Sequence, residues 1–443
     1  MKKVRLVSLL LALAMVFTLA ACGGGDQPSG GSSQPPASQS GGEEQPSGGG
    51  TSEAPVDVVK IGIVNPTTGP LAGFGEGNPW TEELLVEYVN NELGGIYFED
   101  YDTSLPIEII TYDSESDTTT CSEMAQKLIE EDKVNIIIAR HTPETVNPVS
   151  AMAERYGVPC VAIEAPVDAW LAEGPYEWTY HAMWTLEKMY DQYSALWEQA
   201  GFAKGSGAKV GIIFANDADG TAWHGVFADK IVADGYTLVD PGQYPAGTTD
   251  YSDVINQFKS EGVEILCGTN TNPDFNSFWL QAKQQGFEPK FVTMGKAYLL
   301  QSDADAIGAE LMDGNCAEVW WSEHHPYASA LTGETGETLA AKYLEATGRA
   351  ITQPMGYKYA SMELCIAALQ NATNLDPENI RDGIAAIDVD TIVGHIKYNE
   401  DHYSVTPLAG GQWQLQEDGS LKLVIVNNDL NPEIPLTGEL KIK

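Results

Sequence analysis

Val58-Val59-Lys60-Ile61-Gly62-Ile63-Val64-Asn65-Pro66-Thr67-Thr68-Gly69-Pro70 is an apolar, β-rich run that breaks off into turn residues. A short apolar run closed by Pro and Gly predicts a buried strand followed by a loop. A helix is expected next. Asn78 suits its N-cap, Pro79 its first helical position, and Gly94-Gly95 its stop, while Leu84, Leu85, Tyr88 and Val89 fall on one face.

The same unit recurs along the chain. Ile107-Glu108-Ile109-Ile110-Thr111-Tyr112, Asn135-Ile136-Ile137-Ile138-Ala139 and Val158-Pro159-Cys160-Val161-Ala162-Ile163 read as strands. Helices between them run through Met124, Leu128 and Ile129, and onward from Thr142-Pro143. Past an aromatic stretch at 176–184, strands are expected at 209–214, 236–239, 263–267 and 290–293, with helices at 186–200, 220–233, 251–261 and 274–286. Strand and helix in steady alternation imply an α/β fold whose parallel sheets carry helices on both faces. Two such runs, joined by the aromatic stretch, imply two similar lobes. Ligands of open parallel sheets bind beyond the carboxyl ends of the strands. The loops to watch are therefore 66–80, 140–144, 164–170, 215–223, 269–274 and 295–299.

The amino terminus sets the compartment. Met1, Lys2, Lys3 and Arg5 precede an apolar run at 6–19 and then Leu19-Ala20-Ala21-Cys22. A basic head, an apolar centre and small residues at the cut make a secretory signal, and the run is short for a bilayer span of about 20 residues. Cys22 after the small pair resembles the lipobox of bacterial lipoproteins, which implies a lipid anchor on its thiol. The alternative is an ordinary signal peptide with an incidental cysteine. Residues 1–21 are thus expected to be removed, and 22–56, rich in Gly, Ser, Pro and Gln, to form a disordered tether. Such a tether of ~33 residues reaches ~30 Å on average.

The chain has 443 residues and a formal charge of −39; loss of Lys2, Lys3 and Arg5 with the leader takes it to −42. A surface so acidic disfavours nucleic acid and anionic lipid heads as partners. Cys121, Cys160, Cys267, Cys316 and Cys365 lie far apart without a CxxC pair. They read as buried free thiols rather than a disulfide framework or metal ligands. Asp113-x-Glu115-x-Asp117 and Asp217-x-Asp219-Gly220 lack the closing glutamate of a calcium loop and read as turn or helix-start acids. His324-His325 reads as a surface pair. No Gly-x-Ser-x-Gly elbow, His-Glu-x-x-His pair or phosphate loop is present. Neither a catalytic residue, nor a metal, nor a cofactor is expected.

Several stretches, in order, resemble the branched-chain amino-acid-type solute-binding proteins of ABC importers. They are Lys60-Ile61-Gly62-Ile63-Val64 with Thr68-Gly69-Pro70, Met152-Ala153-Glu154-Arg155-Tyr156-Gly157-Val158-Pro159, Gly174-Pro175-Tyr176, the run from Tyr244-Pro245-Ala246-Gly247-Thr248-Thr249 to Asp250-Tyr251-Ser252, and Ala346-Thr347-Gly348. The resemblance implies a type I periplasmic-binding fold, with two Rossmann-like lobes, three crossing strands, and a solute between lobes that close on it. The expected lobes are 57–180 plus 324–390 and 181–323 plus 391–443. The implied partners are a small polar solute of amino-acid, amide or aromatic-acid type and ABC permease subunits. The receptor is expected to be a monomer on the outer face of the cytoplasmic membrane, or in a periplasm if the cell has two membranes.

Carried over residue by residue, the resemblance puts Thr142 where the family holds a serine and Ala165 where it often holds an alanine. It also shows departures. Pro166 stands in place of a threonine, Asp219 in place of a tyrosine, and Lys296-Ala297 where an acid meets the ligand's ammonium. Proline lacks both an N–H and a donor side chain, so a ligand other than leucine, isoleucine or valine is expected. With the aromatic and polar residues of the cleft loops, the candidate contacts are Phe74, Trp80, His141, Thr142, Glu164, Ala165, Trp184, Asp219, Trp223, Asn270 and Lys296. A sensory binding protein without a transporter, or a hydrolase of unfamiliar type, are the competing functions.

Replacing Cys22 by Ser removes the only thiol at the cleavage site, so the Cys22→Ser protein is expected in the soluble fraction. Membrane fractionation of both forms checks this; an unchanged membrane-bound share would refute the anchor.

Overall fold

The computed structural model describes residues 52–442. The leader, Cys22 and the tether up to residue 51 lie outside them. In chain order, β1 (Val59–Asn65) leads to α1 (Asn78–Glu87), a hairpin of β2 (Ile96–Phe98) and β3 (Thr103–Leu105), β4 (Ile107–Asp113) and α2 (Thr118–Lys127). Next come β5 (Ile136–Ala139), α3 (Pro143–Tyr156), β6 (Cys160–Ile163), α4 (Val167–Leu171), β7 (Thr179–Ala182) and α5 (Leu186–Gln199). The second run has β8 (Lys209–Phe214), α6 (Ala218–Ala233), β9 (Thr237–Val239), α7 (Ser252–Glu261), β10 (Ile265–Thr269), α8 (Asn272–Gln284) and β11 (Phe291–Gly295). It goes on through α9 (Gln301–Ile307) and α10 (Ala309–Met312) to β12 (Cys316–Val319). The remainder holds α11 (Gly336–Thr347), α12 (Gln353–Asn371), α13 (Pro377–Ala385), a hairpin of β13 (Asp388–Thr391) and β14 (Gly394–Lys397), β15 (Tyr403–Ser404), β16 (Ala409–Leu415) and β17 (Leu421–Asn427).

Two sheets result. The first runs β15-β7-β6-β5-β1-β4 and is parallel throughout. The second runs β17-β16-β12-β11-β10-β8-β9, parallel except for β16 and β17, which add an antiparallel edge. Alternate residues of each strand go to opposite faces. Val59, Ile61, Ile63, Ile136 and Ile138 enter one buried cluster, and Val64, Ile137 and Ala139 the other. Both faces therefore need helical cover, and β-branched residues predominate in these strands. The five cysteines among the described residues are buried and free.

The chain passes between the sheets three times: at 183–185 after β7, at 320–335 after β12, and at 405–408 between β15 and β16. Tyr403–Ser404 pairs with β7 in the first sheet, although it lies beyond residue 391. The second crossing is pinned by Trp321, whose Nε1 donates to the carbonyl of Ile392 at 2.9 Å while its ring lies against α12 at Gly356.

Two local expectations are corrected. Helix α1 starts at Asn78 itself, because Gly77 takes the preceding position with φ +78°, a conformation a side chain disfavours. His325 is buried while His324 is exposed, since a turn folds the His325 ring back to accept the Ser322 N–H at 3.0 Å. The acidic loops are helix starts: Asp117 and Asp217 cap α2 and α6, accepting N–H from Thr120 and Gly220. Among the described residues, no helix is long and apolar enough to cross a membrane.

A Cβ at Gly356 would stand 2.3 Å from the Trp321 ring, whose position the fused indole leaves no freedom to yield. Gly356→Ala is expected to lower stability by about 1–3 kcal/mol, the usual cost of overpacking. Denaturant unfolding checks it, and an unchanged midpoint would contradict the close approach.

Candidate functional site

In each sheet the strand order reverses beside the first strand of its run, between β1 and β5 and between β8 and β10. A crevice opens at such a point beyond the strand ends. The carboxyl ends of β1, β5, β6, β8, β10 and β11 converge on one cavity, lined by Phe74, His141, Thr142, Pro143, Glu164, Pro166, Trp184, Asp219, Trp223, Thr269, Lys296, Glu318 and Trp320. The space between them measures ≈ 290 Å³, part of it continuous with solvent, and its interior is narrow, with room for about one or two waters.

Three non-glycine residues at these strand ends hold positive φ: His141 at 100°, Glu164 at 69° and Lys296 at 65°. Each costs about 1–2 kcal/mol relative to ordinary backbone, a cost typical of residues turned toward a functional site. The left-handed turn aims each side chain across the strand end into the cavity.

Lys296 is the centre of the charged wall. Its Nζ lies 3.3 Å from Glu144 Oε2, in the first turn of α3, and 3.3 Å from Asp219 Oδ2, in the first turn of α6. One ammonium thus joins helices that follow strands of different sheets. Opposite it, His141 Nε2 is 2.9 Å from Asn65 Oδ1. Asn65 Oδ1 also accepts from Arg140 Nε at 3.3 Å, and its Nδ2 donates to Glu82. The amide orientation is therefore fixed, and the shorter contact at Nε2 has the histidine donate to Asn65, with Asn78 Nδ2 farther off at 3.4 Å. Its Nδ1 lone pair then faces Glu164 Oε2 at 3.4 Å, without hydrogen-bond alignment. Arg140 is wholly buried and also bonds Glu82 and Ser361, and Lys358 donates to the Glu76 carbonyl.

The apolar wall is indole. Trp184 and Trp223 meet edge to face with centroids 6.0 Å apart, and Trp320 lies 5.9 Å from Trp184 at a 51° tilt. Gly295 permits this, because a Cβ there would stand 2.8 Å from the Trp223 ring. Buried polar atoms without a hydrogen-bond partner gather around the same space: Nε1 of Trp184, Trp223 and Trp320, both Glu164 oxygens and Asp219 Oδ1. Such atoms are uncommon in native interiors. Their concentration here marks a surface built to be completed by a polar molecule.

Residues 58–420 match the family described as periplasmic binding protein. The chain belongs to that family. It is 28% identical over 389 residues to the Leu/Ile/Val-binding protein homolog 8 of Brucella abortus, covering 84% of this chain and 91% of that one. Its fold is similar to a leucine-binding protein from Thermotoga maritima, with a TM-score of 0.70 and 18% identity over 84% of this chain and 99% of the other. It is also similar to a solute-binding protein of an ABC transporter from Rhodopseudomonas palustris in complex with 3,4-dihydroxybenzoic acid. There the TM-score is 0.67, with 18% identity over 84% and 97% of the two chains.

In this periplasmic binding protein, eight of the expected contacts line the cavity: Phe74, His141, Thr142, Glu164, Trp184, Asp219, Trp223 and Lys296. Three do not. Trp80 packs edge-on against Tyr343 at 5.1 Å, Ala165 is buried with its carbonyl bound by His181 Nε2 at 2.6 Å, and Asn270 turns away to Tyr244 Oη at 2.7 Å. Thr269, Glu318, Trp320 and Pro143 are lining residues that sequence reasoning missed. Glu318 carried a usable signal, as a lone acid inside the apolar run Cys316-Ala317-Glu318-Val319-Trp320-Trp321.

Burial dominates the electrostatics. It pushes Glu164 up to about 7, against the pull of Lys358 and Arg140, and Glu318 likewise to about 7. Burial, with Arg140 and Lys358 nearby, holds His141 well below its ordinary value, so its ring is neutral at pH 7. Burial alone would lower the Lys296 ammonium, but Glu144, Asp219 and Asp217 raise it above the usual range, so it stays charged.

A carboxyl whose folded value lies above its unfolded value of 4.5 stabilises the fold most fully below that value and loses its contribution as pH rises through about 7. Glu164→Gln does not titrate. Relative to the parent, the variant is expected to gain stability from pH 5 to pH 8 by up to ~3 kcal/mol. The difference measurement cancels the buried histidines, which have the opposite slope. Urea midpoints across that range check it, and a constant difference would mean that Glu164 is solvated.

Proposed function

We propose that the chain is the extracytoplasmic solute receptor of an ABC importer. It captures a small polar solute of amino-acid, amide or aromatic-acid type between two closing lobes and performs no bond chemistry. The observation that carries this reading is the narrow cavity, drawn from the strand ends of both sheets and rimmed by unpartnered buried polar atoms. Membership of the periplasmic binding protein family supports it. We take the lobes as 57–180 plus 324–390 and 181–323 plus 391–443, with the short strand at 403–404 returning to the first sheet. The three crossings between them supply the hinge. A lipid on Cys22 and a tether of some tens of residues would keep a monomeric receptor within reach of permease subunits. Since the cavity has room for only about one or two waters, a larger solute enters only when the lobes part. Contacts made from both sides then favour closure.

Solution scattering tests this. Solutes chosen by thermal shift from amino acids, amides and aromatic acids are expected to reduce the radius of gyration at saturation. Tight binding at an unchanged radius would refute capture by closure.

A further inference from the structure

We propose that the solute is an organic cation with a flat apolar body and no carboxylate, its ammonium facing Glu164 and Asp219 and its body lying against Trp184, Trp223 and Trp320. This rests on the receptor reading above and narrows its solute class.

An anionic solute finds little here to hold it. Helix starts ordinarily attract anions, but of those around the cleft α1 is without an acid and three carry the chain's own acids in their first turns. These are Glu144 on α3, Asp219 on α6 and Asp274 on α8. Asp217 further caps α6, and Asp274 accepts the Gly247 N–H at 3.2 Å. The lining ammonium, Lys296, is already shared between two carboxylates. Arg140 is bonded to Glu82, Asn65 and Ser361, and Lys358 to a carbonyl. Each of these three cations therefore already has an acceptor.

The unsatisfied groups have the opposite sense. Glu164, 2% exposed, has both oxygens without a hydrogen bond, and Asp219, 5% exposed, has Oδ1 free. The unpartnered donors at the cavity are neutral: three indole N–H groups. A carboxylate placed among these acids would be repelled across a poorly screened interior. An ammonium would gain charge-assisted hydrogen bonds from them and cation–π attraction from the indole faces. The −39 formal charge of the chain draws cations toward it at long range.

Calorimetry on the full chain with benzylammonium, benzamide and benzoate varies charge on one ring, and leucine adds a zwitterion. Benzylammonium is expected to bind at least about tenfold more tightly than benzamide, with no heat from benzoate. Glu164→Gln should weaken benzylammonium about tenfold or more and leave benzamide within about twofold. Should that variant fail to fold, the series on the parent decides. Benzoate or leucine binding as tightly as benzylammonium, or no heat from benzylammonium at millimolar concentration, overturns the cation assignment. Compaction by some other solute in the scattering experiment would show that the receptor reading survives such a result, and its absence that both fall.

Discussion

One buried ammonium ties the cleft together. Lys296 leaves β11 in a left-handed turn and meets Glu144 from the first run and Asp219 from the second. Removing one member of such a buried set leaves an uncompensated charge, at a cost of about 3–5 kcal/mol. The contact therefore both holds the cleft shut and fixes where its carboxylates point. Asp219 Oδ1, the oxygen that Lys296 does not take, is left buried and unpartnered at the cavity wall. Closure and the polarity of the site come from the same atoms.

Beneath the cavity a second layer of charge does quieter work. Arg140 and Glu82 neutralise each other out of contact with solvent, and Arg140 locks Asn65, which orients His141. This chain of bonds, from helix α1 through the end of β1 to the end of β5, sets the tautomer that turns a lone pair toward Glu164. The first sheet thus presents a neutral histidine and a carboxyl poised near neutrality, while the second presents a fixed ammonium with its acids. The asymmetry is set by what lies behind each side chain as much as by the lining residue.

The alternation of strands and helices was legible because apolar runs, N-caps and Gly stops agree at every unit, as at Thr142-Pro143 before α3. Parallel order then located the site, since ligands of such sheets gather at strand ends. Apart from Trp80, which packs on Tyr343, the expected residues that do not line the cavity are displaced by one position. Asn270 was expected and Thr269 lines the cavity; Ala165 was expected, and its neighbours Glu164 and Pro166 line it. Successive residues at a strand end point to opposite faces, and the backbone angle that decides between them, as at Glu164, is not written in local composition. Trp320 was hidden by Trp321, because two adjacent indoles read alike in sequence although one faces the cavity and the other packs on α12. The antiparallel pair β16 and β17 lay beyond the alternating pattern that organised the rest.

The positions of the three indoles bear on how binding and closure are linked. Trp184 belongs to the first crossing and Trp320 to the second, so two of the three aromatic walls would be parts of the proposed hinge. In a rotation about the crossings, groups move in proportion to their distance from the axis. The indole floor shifts least, while Thr142, Glu144, Asp219 and Lys296, on helices and turns beyond the strand ends, shift more. An opened cleft would therefore keep its apolar floor and lose its charged rim. On the proposed closing of the lobes, a solute would settle its flat side first, at modest affinity, and the carboxylates would arrive with closure. Discrimination by charge would then fall in the closing step, where burial makes each ionic contact count most. A solute of the wrong sign would be admitted to the floor, but the cleft would not shut over it.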